Sequence, residues 1–215
     1  MVRVLLADDH DIVRRGLRDM IEEQHGWQIC AEATNGREAV ELALQERPDI
    51  ALLDLSMPEL NGLEATRQIR KESPGTEILI FTMHETEQLV REVIFAGARG
   101  YVLKSDGAQH LVAAMEALAH HRPFFTSSVS ETILAGFLES GRQSDEPATA
   151  GVLTSREREI VQLLAEGRSN RDVATMLVIS VKTVETHRAA IMRKLGINSI
   201  VELVHYAVRN KLIEP

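Results

Sequence analysis

A chain of 215 residues, 44% hydrophobic and 26% charged with a formal net charge of -8, has the composition of a globular protein with material for one large core or two small ones. No run approaches the ~18 apolar residues of a membrane span, and the N-terminus reads as a strand rather than a charged segment before an apolar one, so a cytosolic (cytoplasmic) protein with no membrane partner is expected. The one cysteine, Cys30, excludes an intrachain disulfide and a Cys-based zinc site, and its setting, WQICAEA, reads as a buried strand.

Val2 to Ala7 (VRVLLA) is an apolar strand that runs straight into Asp8 and Asp9. A helix is predicted over 11–24, a strand over 27–33 and a helix over 36–46. Ile50 to Leu53 is too short for a buried helix and suits a strand covered on both faces; the strand, 50–54, ends on Asp54. Met57-Pro58 and Asn61-Gly62 then turn the chain into a helix over 63–72. A strand over 78–82 (ILIFT) ends on Thr82, a helix covers 86–97, a strand over 100–103 (GYVL) delivers Lys104, and a helix covers 107–120. This alternation implies a parallel sheet with helices on both faces, where ligand chemistry collects at the carboxyl ends of the strands.

An Asp before a turn serves as readily as a helix cap. Here, however, two strand ends bring Asp8, Asp9 and Asp54 to one edge. Three unpaired carboxylates there would raise one another's pKa, so the arrangement calls for a cation, and oxygen-only ligands with room for water suit Mg2+. With the Thr82 hydroxyl and the Lys104 ammonium added, the set describes a phosphoryl-transfer site. Metal and lysine neutralise the equatorial oxygens, the hydroxyl binds one of them, and Asp54 is the nucleophile.

Pro123-Phe124-Phe125 precedes a short amphipathic helix predicted over Ser127 to Glu139, with Val129, Ile133, Leu134, Phe137 and Leu138 on one face. SGRQSDEPATAG, residues 140–151, is polar and aperiodic and reads as a linker. The rest is helical by pattern. Thr154 or Ser155 caps a first helix with Glu157 three residues after Thr154, and its face of Ile160, Val161, Leu163 and Leu164 stops at Gly167. A second runs from Arg171 to Leu177. Ser180 opens a third with Val181, Val184, Ile191 and Leu195 inward and Gly196 as its stop, and Ser199 opens a fourth holding Val201, Leu203, Val204, Ala207 and Val208. The short turn between the second and third gives helix-turn-helix geometry. Residues 1–128 carry 13 Lys and Arg against 21 Asp and Glu, whereas residues 151–215 carry 10 against 7. A basic module on an acidic chain suggests a nucleic-acid partner.

The ordered set Asp8-Asp9, Asp54, Thr82 and Lys104 resembles the receiver domain of two-component response regulators. LTSREREIVQLLAEGRSNRDVA and SVKTVETHRAAIMRKLGI resemble the LuxR-type DNA-binding domain. Together they give the chain the look of a response regulator of the NarL/FixJ class, with a receiver over 1–121, a linker over 122–152 and a helix-turn-helix domain over 153–215. The resemblance implies a doubly wound five-stranded parallel sheet of order 2-1-3-4-5. It implies phosphorylation of Asp54 by a sensor histidine kinase, with Mg2+ held by Asp9, Asp54 and the Ser56 backbone carbonyl and with Asp8 helping through water. It further implies homodimerisation when phosphorylated and binding to double-stranded promoter DNA, with RNA polymerase as a downstream contact. Tyr101 is, by similarity, the aromatic whose position reports activation, and it could equally be core packing. His84, two residues after Thr82, bears on water access to the phosphoryl group, and His10 reads as a helix-start residue near the pocket.

In the third helix Lys182, Glu185, Thr186 and Ala189 are outward candidates, and Lys182, Arg188, Arg193 and Lys194 can meet phosphates. Thr183 completes the DNA-facing set. Glu185 stands where the family often has a basic residue, and it would accept from cytosine N4 or sit unfavourably by the backbone. Two other functions compete. An aspartyl-phosphate hydrolase would place a second Asp two residues after the nucleophile, where this chain has Ser56. A small-molecule sensor would need an aromatic-lined pocket, against 4% aromatic residues. The expectation is therefore a regulator rather than an enzyme. Its acidic receiver, at net -8, is expected to hinder the +3 helical module until phosphorylation, or else dimerisation alone raises affinity.

Overall fold

Five apolar stretches pair in parallel at the centre of the first of two compact units. In the computed structural model, which describes residues 1–127, 129–131 and 153–213, they are β1 (Val2–Ala7), β2 (Trp27–Ala33), β3 (Ile50–Leu53), β4 (Glu77–Thr82) and β5 (Gly100–Leu103). Between and after them run α1 (Asp11–Glu22), α2 (Gly36–Glu46), α3 (Gly62–Glu72), α4 (Glu87–Ala96) and α5 (Ala108–Ala119). β3 and β4 are buried at every residue, as strands covered on both faces must be. Alternate residues part the two layers. Val4, Leu6, Ile50, Leu52, Leu79, Phe81 and Val102 pack against Leu17 and Ile21 of α1 and Leu111, Met115 and Leu118 of α5.

The expected order 2-1-3-4-5 holds, with one strand added. β6 (Phe124–Phe125) extends the edge in parallel with Gly100 and Tyr101, giving β2-β1-β3-β4-β5-β6. Gly100 makes room for it, since a Cβ there would lie 2.6 Å from Leu79 Cδ1 and 3.1 Å from Leu118 Cδ1. Residues that read as the start of a linker thus belong to the sheet. Cys30, expected to be buried, is half-buried because β2 is the other edge, and its thiol donates to the Val4 carbonyl at 3.4 Å. Of the helix expected over 127–139, Ser127 and Val129–Glu131 are helical; the rest, with Ile133, Leu134, Phe137, Leu138 and the linker at 140–151, lies outside the described residues.

The second unit is built from α6 (Ser155–Ala165), α7 (Asn170–Met176), α8 (Val181–Leu195) and α9 (Ile200–Arg209). Each helix begins on a residue whose side chain accepts from the third helical amide: Thr154, Ser169, Ser180 and Ser199. Gly196 closes α8 at φ 65°, a left-handed stop. Ile160, Val161, Leu163, Val173, Val184, Ile191, Leu203 and Ala207 form the core. Two expected core positions face water instead: Val181 is 39% and Val201 59% exposed, because each sits in the first turn of its helix, one step off the buried stripe. Among the described residues, no helix is long and apolar enough to cross a membrane.

Candidate functional site

The carboxyl edge of the sheet gathers the predicted set. Asp8 and Asp54 follow β1 and β3, adjacent in the sheet, and are 1% and 4% exposed. Lys104, beyond β5, reaches back over Thr82 at the end of β4. Its Nζ donates to Asp8 Oδ2 at 2.7 Å and to Asp54 Oδ2 at 2.9 Å. The second Asp54 oxygen accepts from the Leu55 amide at 2.7 Å. Burial pushes the Asp54 carboxyl above the ordinary range, opposed by the Lys104 charge beside it. Burial alone would lower Lys104, but the Asp54 and Asp8 carboxylates outweigh it and hold the ammonium above the ordinary lysine value. A carboxylate stripped of water and steered by one cation is a stronger nucleophile than a solvated one.

Asp9, with a third of its side chain exposed, forms the outer wall. Asp8, Asp9, His10 and Asp54 each bring one ligand atom within 4.8 Å of the others. Three of these four donors are carboxylate oxygens, the set a hard divalent cation such as Mg2+ prefers. His10 opens α1 as expected. Its amide donates to Asp8 Oδ1 at 2.8 Å, and its Nδ1 stands 2.8 Å from Asp9 Oδ1.

His84 ties three of the candidates together. Its amide donates to Thr82 Oγ1 at 3.3 Å, its carbonyl accepts from the Tyr101 hydroxyl at 2.5 Å, and its Nε2 meets Ser56 Oγ at 2.9 Å. Thr82 and Tyr101 are both fully buried. Burial, with Glu85 and Asp54 nearby, holds the Tyr101 phenol protonated well above its ordinary pKa. The Tyr101 ring is thus packed within the core beside the pocket.

Two features escape the sequence reading. The Ser56–His84 bond joins the loops after β3 and β4, and the adjacency of those strands was the available clue. Gly62 reads as a turn residue, yet a Cβ there would lie 2.0 Å from the Asp54 carbonyl oxygen, and its amide donates to the Leu55 carbonyl at 2.9 Å. His121, largely exposed, pairs through Nδ1 with Glu77 at 2.8 Å, at the start of β4.

On α8, Lys182, Glu185, Thr186, Ala189 and Arg193 are exposed, and Arg188 is half-buried. Thr183 is drawn into the helix cap, its Oγ1 at 2.8 Å from Ser180 Oγ. Lys194 is committed elsewhere: its Nζ donates to both Glu157 oxygens, at 2.7 and 2.8 Å, tying α8 to α6. Burial alone would raise Glu157, but Lys194 and Thr154 hold its carboxyl below the ordinary range.

The response regulator receiver domain family matches residues 4–116, and the bacterial regulatory proteins of the luxR family match residues 151–207. The oxygen regulatory protein NreC of Staphylococcus epidermidis is 37% identical over 99% of this chain and the whole of that protein. A two-component response regulator of the LuxR family from Aurantimonas is 39% identical with a TM-score of 0.61, over 64% of this chain and 99% of that one. RcsB of Salmonella enterica, solved on the rprA promoter with a phosphomimetic, is 26% identical with a TM-score of 0.61 over 95% of this chain and 97% of its own.

Proposed function

The chain belongs to the response regulators that join a receiver domain to a luxR-type DNA-binding domain, which are phosphorylation-dependent transcriptional regulators, and from that premise we propose that it takes a phosphoryl group on Asp54 from a sensor histidine kinase and then binds promoter DNA as a homodimer. The observation that carries this reading is the buried Asp54 carboxylate held by Lys104 at 2.9 Å beside Asp8. Asp54 Oδ attacks phosphorus as the bond to the donor imidazole nitrogen breaks, and the electron pair returns to that ring. The His84 amide already donates to Thr82 Oγ1, so the hydroxyl proton of Thr82 is left for a phosphoryl oxygen. Lys104, engaged with two carboxylates at rest, turns to a second oxygen.

Mg2+, held by Asp9, Asp54 and the Ser56 carbonyl with Asp8 through water, would supply countercharge for the phosphoryl oxygens. Ser56 and His84, bonded across the pocket mouth, limit the approach of water to the acyl phosphate, and Ser56 offers no carboxyl to act as general acid, which sets the chain apart from a hydrolase. Lys182, Glu185, Thr186 and Ala189 face the DNA groove, with Arg188 and Arg193 at phosphates. RNA polymerase is the downstream contact of such a regulator. Asp54→Asn tests the reading: labelling by a phosphodonor, acid-stable and hydroxylamine-sensitive in the wild type, should disappear. Labelling of the variant at the wild-type level would refute the assignment.

A further inference from the structure

The amide, the carbonyl and both carboxylate oxygens of Asp8 are all engaged, and one of their partners has no part in the reading above. The Asp8 amide donates to the Ala33 carbonyl at 3.2 Å, Oδ1 takes the His10 amide at 2.8 Å and Oδ2 takes Lys104 Nζ at 2.7 Å. The carbonyl oxygen accepts from Arg14 Nη1 at 2.8 Å. That oxygen belongs to the planar peptide joining Asp8 to Asp9, so a bond to it fixes the direction in which Asp9 leaves the strand.

The helix that carries Arg14 does not explain it. It is the fourth residue of α1, near the positive end of the helix dipole, where a cation is unfavourable. Side chains on a helix lean toward its N-terminus, so the stem runs back along the first turn to Asp8, and the side chain is only 14% exposed. Its guanidinium meets acceptors on three elements. Nη1 takes the Asp8 carbonyl beyond β1, Nη2 the Asp11 carboxylate of α1, and Nε stands 3.5 Å from Glu32 Oε2 of β2. A rigid fork of this kind holds its partners in one geometry. The two acids also offset its charge, so it disfavours a cation bound nearby less than a bare arginine would.

We propose that Arg14 is a positioning residue for the divalent cation, which by fixing the peptide between Asp8 and Asp9 keeps the Asp9 carboxylate in the cluster with Asp54. The proposal rests on the reading that Asp9 and Asp54 hold Mg2+. Lys104 leaves Asp8 for a phosphoryl oxygen during transfer, and Asp8 then keeps its place through Arg14 and the His10 amide. A role as mere charge has the opposite sign. A cation repels Mg2+, so loss of the charge alone would tighten binding, whereas loss of the anchor loosens it.

The test is calorimetric titration of the full-length, unphosphorylated protein with MgCl2. Arg14→Met keeps the apolar stem and removes the fork and the charge. It should weaken Mg2+ binding about 10- to 100-fold, the usual effect of losing a group that orients metal ligands. Phosphodonor labelling of this variant should slow at limiting Mg2+ and recover at saturating Mg2+. Arg14→Lys keeps the charge but cannot meet three acceptors at once, so its affinity should fall between the two, and it decides the matter if Arg14→Met does not fold. Arg18→Ala removes the other guanidinium on Glu32 without touching Asp8, and it should not weaken binding. If the wild type binds Mg2+ and the Arg14 variants bind it as tightly or more tightly, or if Arg18→Ala weakens it equally, the proposal falls alone. If the wild type binds no Mg2+, the metal reading falls and the proposal with it.

Discussion

Gly62→Ala places one methyl group where the structure has least room. The added carbon would lie 2.0 Å from the Asp54 carbonyl oxygen and 2.9 Å from both Asp54 C and Leu55 Cα. All three are backbone atoms, so no side chain can turn aside. The carbonyl would have to retreat by about 1 Å merely to reach the shortest contacts real Cβ atoms make. Two bonds resist that motion, from the Gly62 amide to the Leu55 carbonyl at 2.9 Å and from Thr66 Oγ1 to the Gly62 carbonyl at 2.7 Å. Overpacking of this kind costs about 1–3 kcal/mol, and with rigid backbone on both sides the upper end applies. For a domain of this size that is a fall in melting temperature of about 10 °C. Asp54 moves with its own carbonyl, so phosphodonor labelling should fall even though Gly62 touches no reacting atom. Gly16→Ala is the paired control. It lies within α1 with nothing inside 4 Å of the added carbon, and it should gain about 0.5–1 kcal/mol from helix propensity. Melting by scanning calorimetry and labelling in the same preparations decide the matter. A Gly62→Ala protein that melts with the wild type and labels at its rate would refute the reasoning.

The Glu157 carboxyl is held below its ordinary 4.5, so its stabilisation of the helical unit is present above that value and is lost as pH falls through the lower folded-state value. Glu157→Gln should flatten the acid limb of that unit's stability curve, and an unchanged limb would exclude the linkage. Lys182→Ala should weaken binding on every duplex and lower the salt slope by about 1; an unaltered slope would mean that Lys182 meets no phosphate. If the receiver hinders the helical unit, the unphosphorylated full chain should retard DNA less than a fragment of residues 153–212 does. Equal binding would exclude hindrance and leave dimerisation as the mechanism.

Most of the receiver was legible because its signals are short-range. Apolar tetrads and hexads end on Asp8, Asp54, Thr82 and Lys104, and a parallel sheet brings such ends to one edge wherever the helices lie. The contacts that escaped depend on three-dimensional distance. The Ser56–His84 bond needs two loops to lean together, and the role of Gly62 is a clearance that neither propensity nor periodicity encodes. β6 was missed because two residues carry no period and their place depends on Gly100 in another strand. In the helical unit, caps and stops were legible residue by residue. The pairing of Lys194 was not, since a lysine near a recognition helix looks like a phosphate contact until its partner, 37 residues earlier, is seen.

That pairing separates the cations a sequence contains from those a polyanion can use. The recognition helix has four, and one is spent within the domain. Because each neutralised phosphate adds about 0.9 to the salt exponent on duplex DNA, two such helices set a ceiling near 5 rather than 7. Any binding to duplex DNA should therefore persist through a larger swing in salt concentration than the arginine and lysine content suggests. The protein also gives up some of the nonspecific hold on bulk DNA that those charges would otherwise provide.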